Sequence, residues 1–367
     1  MGTFLLGLLV LATLVYATFT IRIIKGLLNP FKSSEQSDLP PVAVVVAARN
    51  EERALPDLLE DLLAQDYAGA FQVYIADDRS NDSTGQILDR FAKKHAHFHV
   101  VHISKLSSQM TPKKHAITEC LKNTTAEIII ATDADCRMGP GWISSAVRQL
   151  DAETGILVGY AEITAESIFE RYQALDYIGV VVANAGMMTQ GYHWSGSGGN
   201  LAYRRSAFTQ IGGFNPVADR VSGDDFYLVQ TIPKKTGLKA KFNFEPSHFV
   251  RTTPVDSISA LLNQRIRWSS NSKGLEKTDK LFFTFLVSAF LSNLLILILF
   301  LSGSLTALLW ISVGLKFLAE GSVMIMGARR FGYWSLIWIY PLWFIVQPAY
   351  ISYVGLMGLR GKFTWKP

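Results

Sequence analysis

Two acids separated by one small residue, Asp133 and Asp135, close the apolar run Ile128-Ile129-Ile130-Ala131-Thr132. The run reads as a buried strand of a parallel sheet. In open α/β sheets, ligands bind just beyond the carboxyl ends of the strands. Two carboxylates in that position suit a hard divalent cation, Mg2+ or Mn2+, whose other ligands are phosphate oxygens. Taken alone, Asp-x-Asp is more simply a strand end followed by a polar turn. Two further acid pairs add to it. Asp77-Asp78 ends the strand Phe71 to Ala76, where a solvated turn or helix N-cap is the simpler account. Asp224-Asp225 follows Gly223 and precedes a helical pattern over Phe226–Ile232. An acid there gains from the helix N-terminus, and capping alone would explain it. The glycine-dense stretch Ser195-Gly196-Ser197-Gly198-Gly199-Asn200 lets the backbone approach a ligand closely and expose N–H groups, unless it is only a flexible loop.

The elements that position these residues are legible in the hydrophobic pattern. Val42 to Ala48 reads as a fully buried strand, followed by Arg49-Asn50-Glu51-Glu52 and a helical pattern of Leu55, Leu58, Leu59, Leu62 and Leu63. The strand Phe71 to Ala76 precedes a helix carrying Ile87, Leu88 and Phe91. A third strand falls near Phe98–Ile103, and residues 113–123 look helical. The alternation predicts an α/β domain with a mainly parallel sheet and helices on both faces. No Gly-x-Gly-x-x-Gly follows the first strand, so a dinucleotide fold is not indicated. Cys120 and Cys136 offer neither a disulfide framework nor metal-ligand spacing.

The 367 residues are 49% hydrophobic, with a mean hydropathy of +0.21. The apolar excess lies at the two ends. Residues 3–21 are long enough for a tilted membrane span. Arg22, Lys25 and Lys32 follow that run and no basic residue precedes it, the reverse of a cleaved signal peptide. This predicts an uncleaved anchor with its N-terminus outside and the next domain in the cytoplasm. The net charge of +5 is modest. The basic residues are interleaved with aromatics near the apolar segments, which suits a bilayer surface and not nucleic acid. Near the other end, residues 281–301 and 305–326 read as spans. Residues 334–357 read as a third segment, broken at Pro341 and Pro348. Lys316 and Glu320 are spaced to pair inside the bundle. Three C-terminal spans would place Arg360, Lys362 and Lys366 outside, against the positive-inside rule. An interfacial or re-entrant 334–357 would resolve this and leave the tail, ending Thr364-Trp365-Lys366, in the cytoplasm.

Ala47-Ala48-Arg49-Asn50-Glu51-Glu52, Asp77-Asp78 with Ser80 and Asp82, and Asp133-Ala134-Asp135 resemble the inverting family 2 glycosyltransferases of GT-A fold. The resemblance covers roughly residues 42–270. It implies a nucleotide-sugar donor, usually uridine-linked, held by Ala48, Asn50, Glu51, Asp77 and Asp78. A carboxylate can accept the imide N–H of uracil. Thr111-Pro112-Lys113-Lys114-His115 matches the family's Gly-Lys stretch, with Pro112 in place of glycine. Lys113 is then the diphosphate contact, with Lys114 and His115 on the helix surface. The resemblance further implies that Asp133 and Asp135 hold the metal, Asp133 also meeting the donor. Gly198, Gly199, Asn200 and Asp224 line the acceptor side. Asp225 is the catalytic base, with Asp224 where glutamate is more usual.

Gln264-Arg265-Ile266-Arg267-Trp268 resembles the Gln-x-x-Arg-Trp motif of membrane-embedded family 2 enzymes, namely cellulose and hyaluronan synthases and the ceramide glucosyltransferase-like group. Arg267 can neutralise a leaving diphosphate, while Gln264 and Trp268 face the acceptor. An amphipathic interfacial helix with snorkelling arginines accounts for the same residues. The expected organisation is an anchor at 1–28, a linker at 29–41, a GT-A domain at 42–250 and interfacial helices at 251–280. Transmembrane or interfacial segments follow at 281–357, then a basic tail at 358–367. The expected activity is metal-dependent transfer of a sugar from a nucleotide donor, a UDP-sugar, to a lipid hydroxyl at the cytoplasmic membrane. A processive polysaccharide synthase, a membrane nucleotidyltransferase and a non-catalytic scaffold are the alternatives. The few C-terminal spans favour the lipid acceptor.

Overall fold

The computed structural model describes residues 2–31, 38–361 and 363. The chain forms two compact units. One comprises Phe31–Thr164 and Gly191–Thr253, the other Met1–Pro30, Ala165–Gln190 and Pro254–Pro367. Part of the sequence-predicted linker, including Lys32, Ser33 and Ser34, lies outside the described residues. So do Lys362 and Thr364-Trp365-Lys366 of the tail.

The first of these units is an α/β structure of ten strands. They are β1 (Val42–Ala48), β2 (Phe71–Asp78), β3 (Phe98–Ile103), β4 (Ile128–Asp133), β5 (Arg137–Met138), β6 (Thr154–Val158), β7 (Ala161–Ile163), β8 (Leu201–Arg204), β9 (Lys239–Phe242) and β10 (Val250–Thr252). Seven of them form a sheet in the order β3-β2-β1-β4-β8-β6-β9, and β5-β10-β7 form a second, small one. In the large sheet only β8 runs antiparallel to its neighbours. The sheet is therefore mixed and mainly parallel, as the sequence pattern indicates. Val42 to Val46 are essentially inaccessible. Burying each valine contributes about 1.5–3 kcal/mol, which is why the central strands need no amphipathic alternation.

The parallel register sets the functional edge. Ala48 pairs with Asp77 on one side, and Ala47 with Asp133 on the other. The three neighbouring strands thus end within one residue of each other, and the acids Asp77 of β2 and Asp133 of β4 flank the end of β1. β2 runs two residues past the expected end at Ala76, so Asp77 and Asp78 belong to the ladder opposite His102 and Ile103.

The second unit is helical. Among the described residues, four of its helical segments are long and apolar enough to cross a membrane: Gly2–Leu28, Lys280–Leu301, Ala307–Phe331 and Trp334–Arg360. Leu9 of the first packs with Leu295 and Leu299 of the second and Leu309 of the third. The helix Ile168–Met188 belongs here too, although in sequence it falls inside the segment 42–250. Ser167 caps it in a reciprocal box with Glu170, which satisfies two otherwise orphaned N–H groups. Gly26 and Gly186 let this helix and the N-terminal one approach closely: a Cβ on Gly186 would lie 2.5 Å from the Ile23 carbonyl oxygen.

The expected break at Pro348 is not seen. The helix Tyr340–Arg360 runs through it, and Ser352 Oγ donates to the Pro348 carbonyl at 2.6 Å. Pro341 stands in the first turn, where a missing N–H costs nothing. The residues before it, Trp334–Ile339, form a 3-10 helix.

Lys316 and Glu320 pair inside the helical unit, with Nζ donating to both carboxylate oxygens at 2.7 Å. Their side chains are 0% and 5% exposed. Lys316→Met should strand the Glu320 carboxylate and cost about 3–5 kcal/mol, the usual penalty for breaking a buried pair. Combining it with Glu320→Gln should recover most of that loss. Unfolding of the detergent-purified protein measures both, and a single variant as stable as the wild type would refute the role of the pair.

Candidate active site

The edge formed by β1, β2 and β4 carries two groups of residues. The first is built from the loops after β1 and β2, which are zipped together. Asn50 N–H donates to Ser80 Oγ at 3.0 Å, and Asn81 N–H returns a bond to Asn50 Oδ1 at 2.8 Å. Glu51 N–H donates to Thr84 Oγ1, Glu52 N–H to Asp82 Oδ2 and Ser83 N–H to Glu52 Oε2 across the same gap. Asn50 (φ 55°) and Arg79 (φ 58°) are left-handed, a conformation that carries strain for a residue with a Cβ and is held by surrounding bonds. Asp78 is buried and grips Arg79 bidentately at 2.7 and 2.9 Å. Asp77 accepts from Ser80 N–H and lies 3.3 Å from His102 Nδ1. The Asp89 carboxylate, with Asp77 assisting, raises the His102 pKa above its ordinary value. Ala48 is buried at the strand end.

The second group lies at the end of β4. Lys113, in the first turn of the helix Pro112–Lys122, places its ammonium 2.6 Å from Asp133 Oδ1 and 3.8 Å from Asp224 Oδ2. Burial alone would depress this ammonium. Asp133, Asp224 and Asp225 outweigh that effect and hold its pKa above the ordinary lysine value.

Asp224 and Asp225 open the helix Asp224–Thr236, preceded by Gly223 at φ 86°. Gly198 and Gly199 face the same acids. A Cβ on Gly198 would lie 3.3 Å from Lys113 Nζ and 4.0 Å from Asp225 Oδ2, and one on Gly199 would lie 3.3 Å from Asp133 Oδ2. The glycines thus keep a space open between the acids. Thr132 Oγ1 fixes the loop by donating to the Gly199 carbonyl at 2.8 Å. Asn200 is fully buried, and its amide is spent on the scaffold. Nδ2 donates to the Tyr160 and His248 carbonyls at 3.0 and 2.6 Å, and Oδ1 accepts from Trp142 Nε1 at 3.0 Å.

Asp135 accepts from Thr252 Oγ1 at 3.3 Å. Among the described residues, no group of three or more His, Cys, Asp or Glu is arranged to hold a metal ion. The donor set at Asp133 and Asp135 is hard oxygen, and Asp133 Oδ1 already faces a cation, the Lys113 ammonium. Burial, Asp133 and Asp135 all push the Cys136 thiol pKa up. These residues fit Mg2+ or Mn2+ that takes its remaining ligands from a diphosphate and water.

The Gln-x-x-Arg-Trp stretch lies in the helical unit, on the helix Ile258–Ser270. Arg265, between the motif positions, is its buried anchor. Nε donates to Asp176 Oδ2 at 2.8 Å, Nη1 donates to Gln264 Oε1, and the guanidinium lies 4.2 Å from the Trp268 ring centroid. Asp176 also accepts from Trp343 Nε1 at 3.1 Å and Tyr350 OH at 3.2 Å. Gln264, Arg267 and Trp268 are half-buried, and the Trp268 ring lies against Tyr177.

Sequence reasoning missed Asp176 and Arg265. The available signal was a single acid inside the otherwise apolar stretch Ala174–Ala183. It also put Lys114 on the helix surface, whereas Lys114 is 1% exposed. Its Nζ donates to Thr111 Oγ1 and to the Arg220 carbonyl.

The mixed, mainly parallel sheet with acids at the ends of β2 and β4 has the architecture of the GT-A class of α/β proteins. Residues 43–212 match the profile of glycosyl transferase family 2, and residues 128–348 that of glycosyl transferase family group 2. The second match covers more than half of the chain, and the chain belongs to the family 2 glycosyltransferases. This sets aside the nucleotidyl-transfer alternative.

The chain is 33% identical over 137 residues to a β-monoglucosyldiacylglycerol synthase of Trichormus variabilis, covering 37% of this chain and 28% of that protein. It is 26% identical over 262 residues to an N-acetylglucosaminyltransferase of Rhizobium leguminosarum bv. viciae, covering 66% and 58%. Its matches therefore span less than two thirds of either relative. Among solved structures, the mannosyltransferase of Pyrobaculum calidifontis in complex with GDP-Man and Mn2+ superposes with a TM-score of 0.63. That match has 20% identity and covers 98% of this chain and 99% of the other. At that identity the likeness is one of fold.

His248 tests the scaffold under the glycine loop. It is fully buried, donates from Nδ1 to the Trp142 carbonyl at 3.2 Å and stacks on the Trp142 ring. Burial pushes its pKa from 6.5 down to about 4. The unfolded chain therefore binds the extra proton between those values. Stability should be complete above pH 6.5 and fall as pH drops towards 4, by up to about 3 kcal/mol. Melting temperature against pH measures this. His248→Gln should flatten that limb relative to the wild type, and an unchanged slope would clear His248 of the effect.

Proposed function

We propose that the chain is a membrane-bound inverting glycosyltransferase that moves a sugar from a UDP-sugar to a hydroxyl of a lipid acceptor. One observation supports this above the others. Asp133, Lys113, Asp224 and Asp225 converge on a space that Gly198 and Gly199 keep open, at the carboxyl edge of the sheet.

In this reading the braced loops at Asn50–Glu51 and Asp77–Asp78 receive the nucleoside, with Ala48 beneath it. Lys113 binds the diphosphate through its ammonium. Asp133 and Asp135 would hold Mg2+ or Mn2+, which supplies positive charge against the leaving diphosphate. Gly198 and Gly199 admit the acceptor, and Asn200 fixes their loop. Asp225 takes the proton of the attacking hydroxyl, with Asp224 beside it keeping Lys113 in place. A single displacement then inverts the anomeric centre. Gln264, Arg267 and Trp268 enter the proposal through the motif they resemble, Arg267 for the diphosphate and the other two for the acceptor.

The lipid acceptor is supported by the small number of apolar spans and by the match to a glycolipid synthase. The basic residues after the first apolar helix support a cytoplasmic catalytic unit at the cytoplasmic membrane. Product analysis after incubating membranes with a panel of UDP-sugars identifies the donor. It also separates a glycolipid from a polymer.

Activity is expected to vanish in EDTA and return with Mn2+ or Mg2+, and Asp135→Asn should weaken donor binding as well as rate. Full turnover in chelator would remove the metal from the proposal.

Asp225→Asn keeps the side chain's size and an oxygen for the Phe226 N–H but cannot accept a proton. Its transfer rate should fall by about 10²–10⁴-fold while UDP-sugar affinity changes little. A near wild-type rate excludes Asp225 as the base. If Asp224→Asn is the inactive variant instead, the base is its neighbour.

A further inference from the structure

The proposed reaction makes no use of Lys114, yet its ammonium is among the most deeply buried groups in the catalytic unit. Burying an ammonium costs several kcal/mol unless partners replace its water. Lys114 bonds to neutral oxygens. Nζ donates to Thr111 Oγ1 at 3.3 Å and, by a shorter bond, to the backbone carbonyl of Arg220. Charge-assisted bonds of this kind are about twice as strong as neutral ones. Lys113 and Arg220 repel the ammonium, while Asp224 and Asp225 attract it.

Those contacts are not scattered. Thr111 N–H donates to the Ala218 carbonyl at 2.9 Å, and Thr111 Oγ1 donates to the Arg220 carbonyl at 3.2 Å. The start of the helix Pro112–Lys122 is thus fastened to residues 218–220 by three donors. Only Val221, Ser222 and Gly223 separate that segment from Asp224 and Asp225. Gly223 makes the left-handed turn into the helix, and its carbonyl accepts from Tyr227 N–H at 2.9 Å. The two adjacent lysines therefore act on the same acids in different ways. Lys113 meets the carboxylates directly, and Lys114 holds the backbone that delivers them.

We propose that Lys114 is a positioning residue whose ammonium clamps the Arg220 carbonyl and so fixes the loop that presents Asp225 to the acceptor. The clamp is a statement about geometry. Its consequence for rate rests on the proposed role of Asp225.

The test compares wild type, Lys114→Met and Lys114→Arg as full chains in detergent, by amide hydrogen exchange and by UDP-sugar transfer. In Lys114→Met, the amides of residues 218–226 should lose protection while β1, β2 and β4 keep theirs. Its kcat should fall by about 10²-fold, the effect of misplacing a reacting group by about 1 Å. Its KM for the donor should stay within about twofold, because the donor contacts are untouched. Lys114→Arg retains a buried donor and should recover much of both losses.

Unchanged protection over 218–226 in Lys114→Met overturns the proposal. So does a uniform loss of protection across the whole unit, which would make Lys114 a general folding residue. An arginine variant as impaired as the methionine one also counts against the clamp. If no variant, wild type included, turns over any UDP-sugar, the proposed reaction fails. The exchange data then decide the clamp alone.

Discussion

Carboxylates brought close together resist ionising together unless a cation lies among them. Asp133 arrives from the end of β4, and Asp224 and Asp225 from a helix much later in the chain. The Lys113 ammonium, 2.6 Å from the first and 3.8 Å from the second, is the counter-charge that lets them share one space. Much of the surrounding structure serves that balance. The register of β1 and β4 sets the height of Asp133, the helix N-terminus favours charge on the later pair, and the two glycines leave room beside all three.

The loops after β1 and β2 are organised differently. They rely on hydrogen bonds exchanged between the two rather than on one charge, and two non-glycine residues are held left-handed there. Such bracing reduces the ordering that a ligand must impose on binding. One side of the site is thus stiffened by hydrogen bonds and the other by electrostatics. The small-residue loop from Ser195 to Asn200 rests on buried polar contacts among Trp142, Asn200 and His248.

What the sequence revealed and what it hid divide along physical lines. β1 and the first residues of β4 are continuous apolar runs because both faces of the sheet are covered, and such runs are visible without any neighbour. The acids after the apolar parts of β2 and β4 could be located in the same way. The extra length of β2 was hidden, because its last two residues are acids whose place in the ladder depends on β3. Lys114 was hidden as well: whether a lysine beside Lys113 lies in water or in the interior depends on a carbonyl more than a hundred positions away. Asp176 and Arg265 are alike in this respect, each unintelligible until the other is nearby. Pro348 misled because a proline within an apolar segment signals a break, whereas this helix continues past the missing bond.

The boundaries of the two units bear on how this chain could be divided. It passes from one unit to the other at residues 30/31, 164/165, 190/191 and 253/254. Removing both ends would therefore not release the catalytic unit on its own. The helix Ile168–Met188 would stay attached in mid-chain, stripped of Arg265, Trp343 and Tyr350, with the Asp176 carboxylate exposed on an apolar face. During synthesis the same arrangement imposes an order of events. The early strands emerge well before β9 and β10 complete their sheets, and a helix of the other unit emerges between them. The catalytic unit cannot finish folding until that helix has been made, so the ribosome delivers the two halves of the protein interleaved.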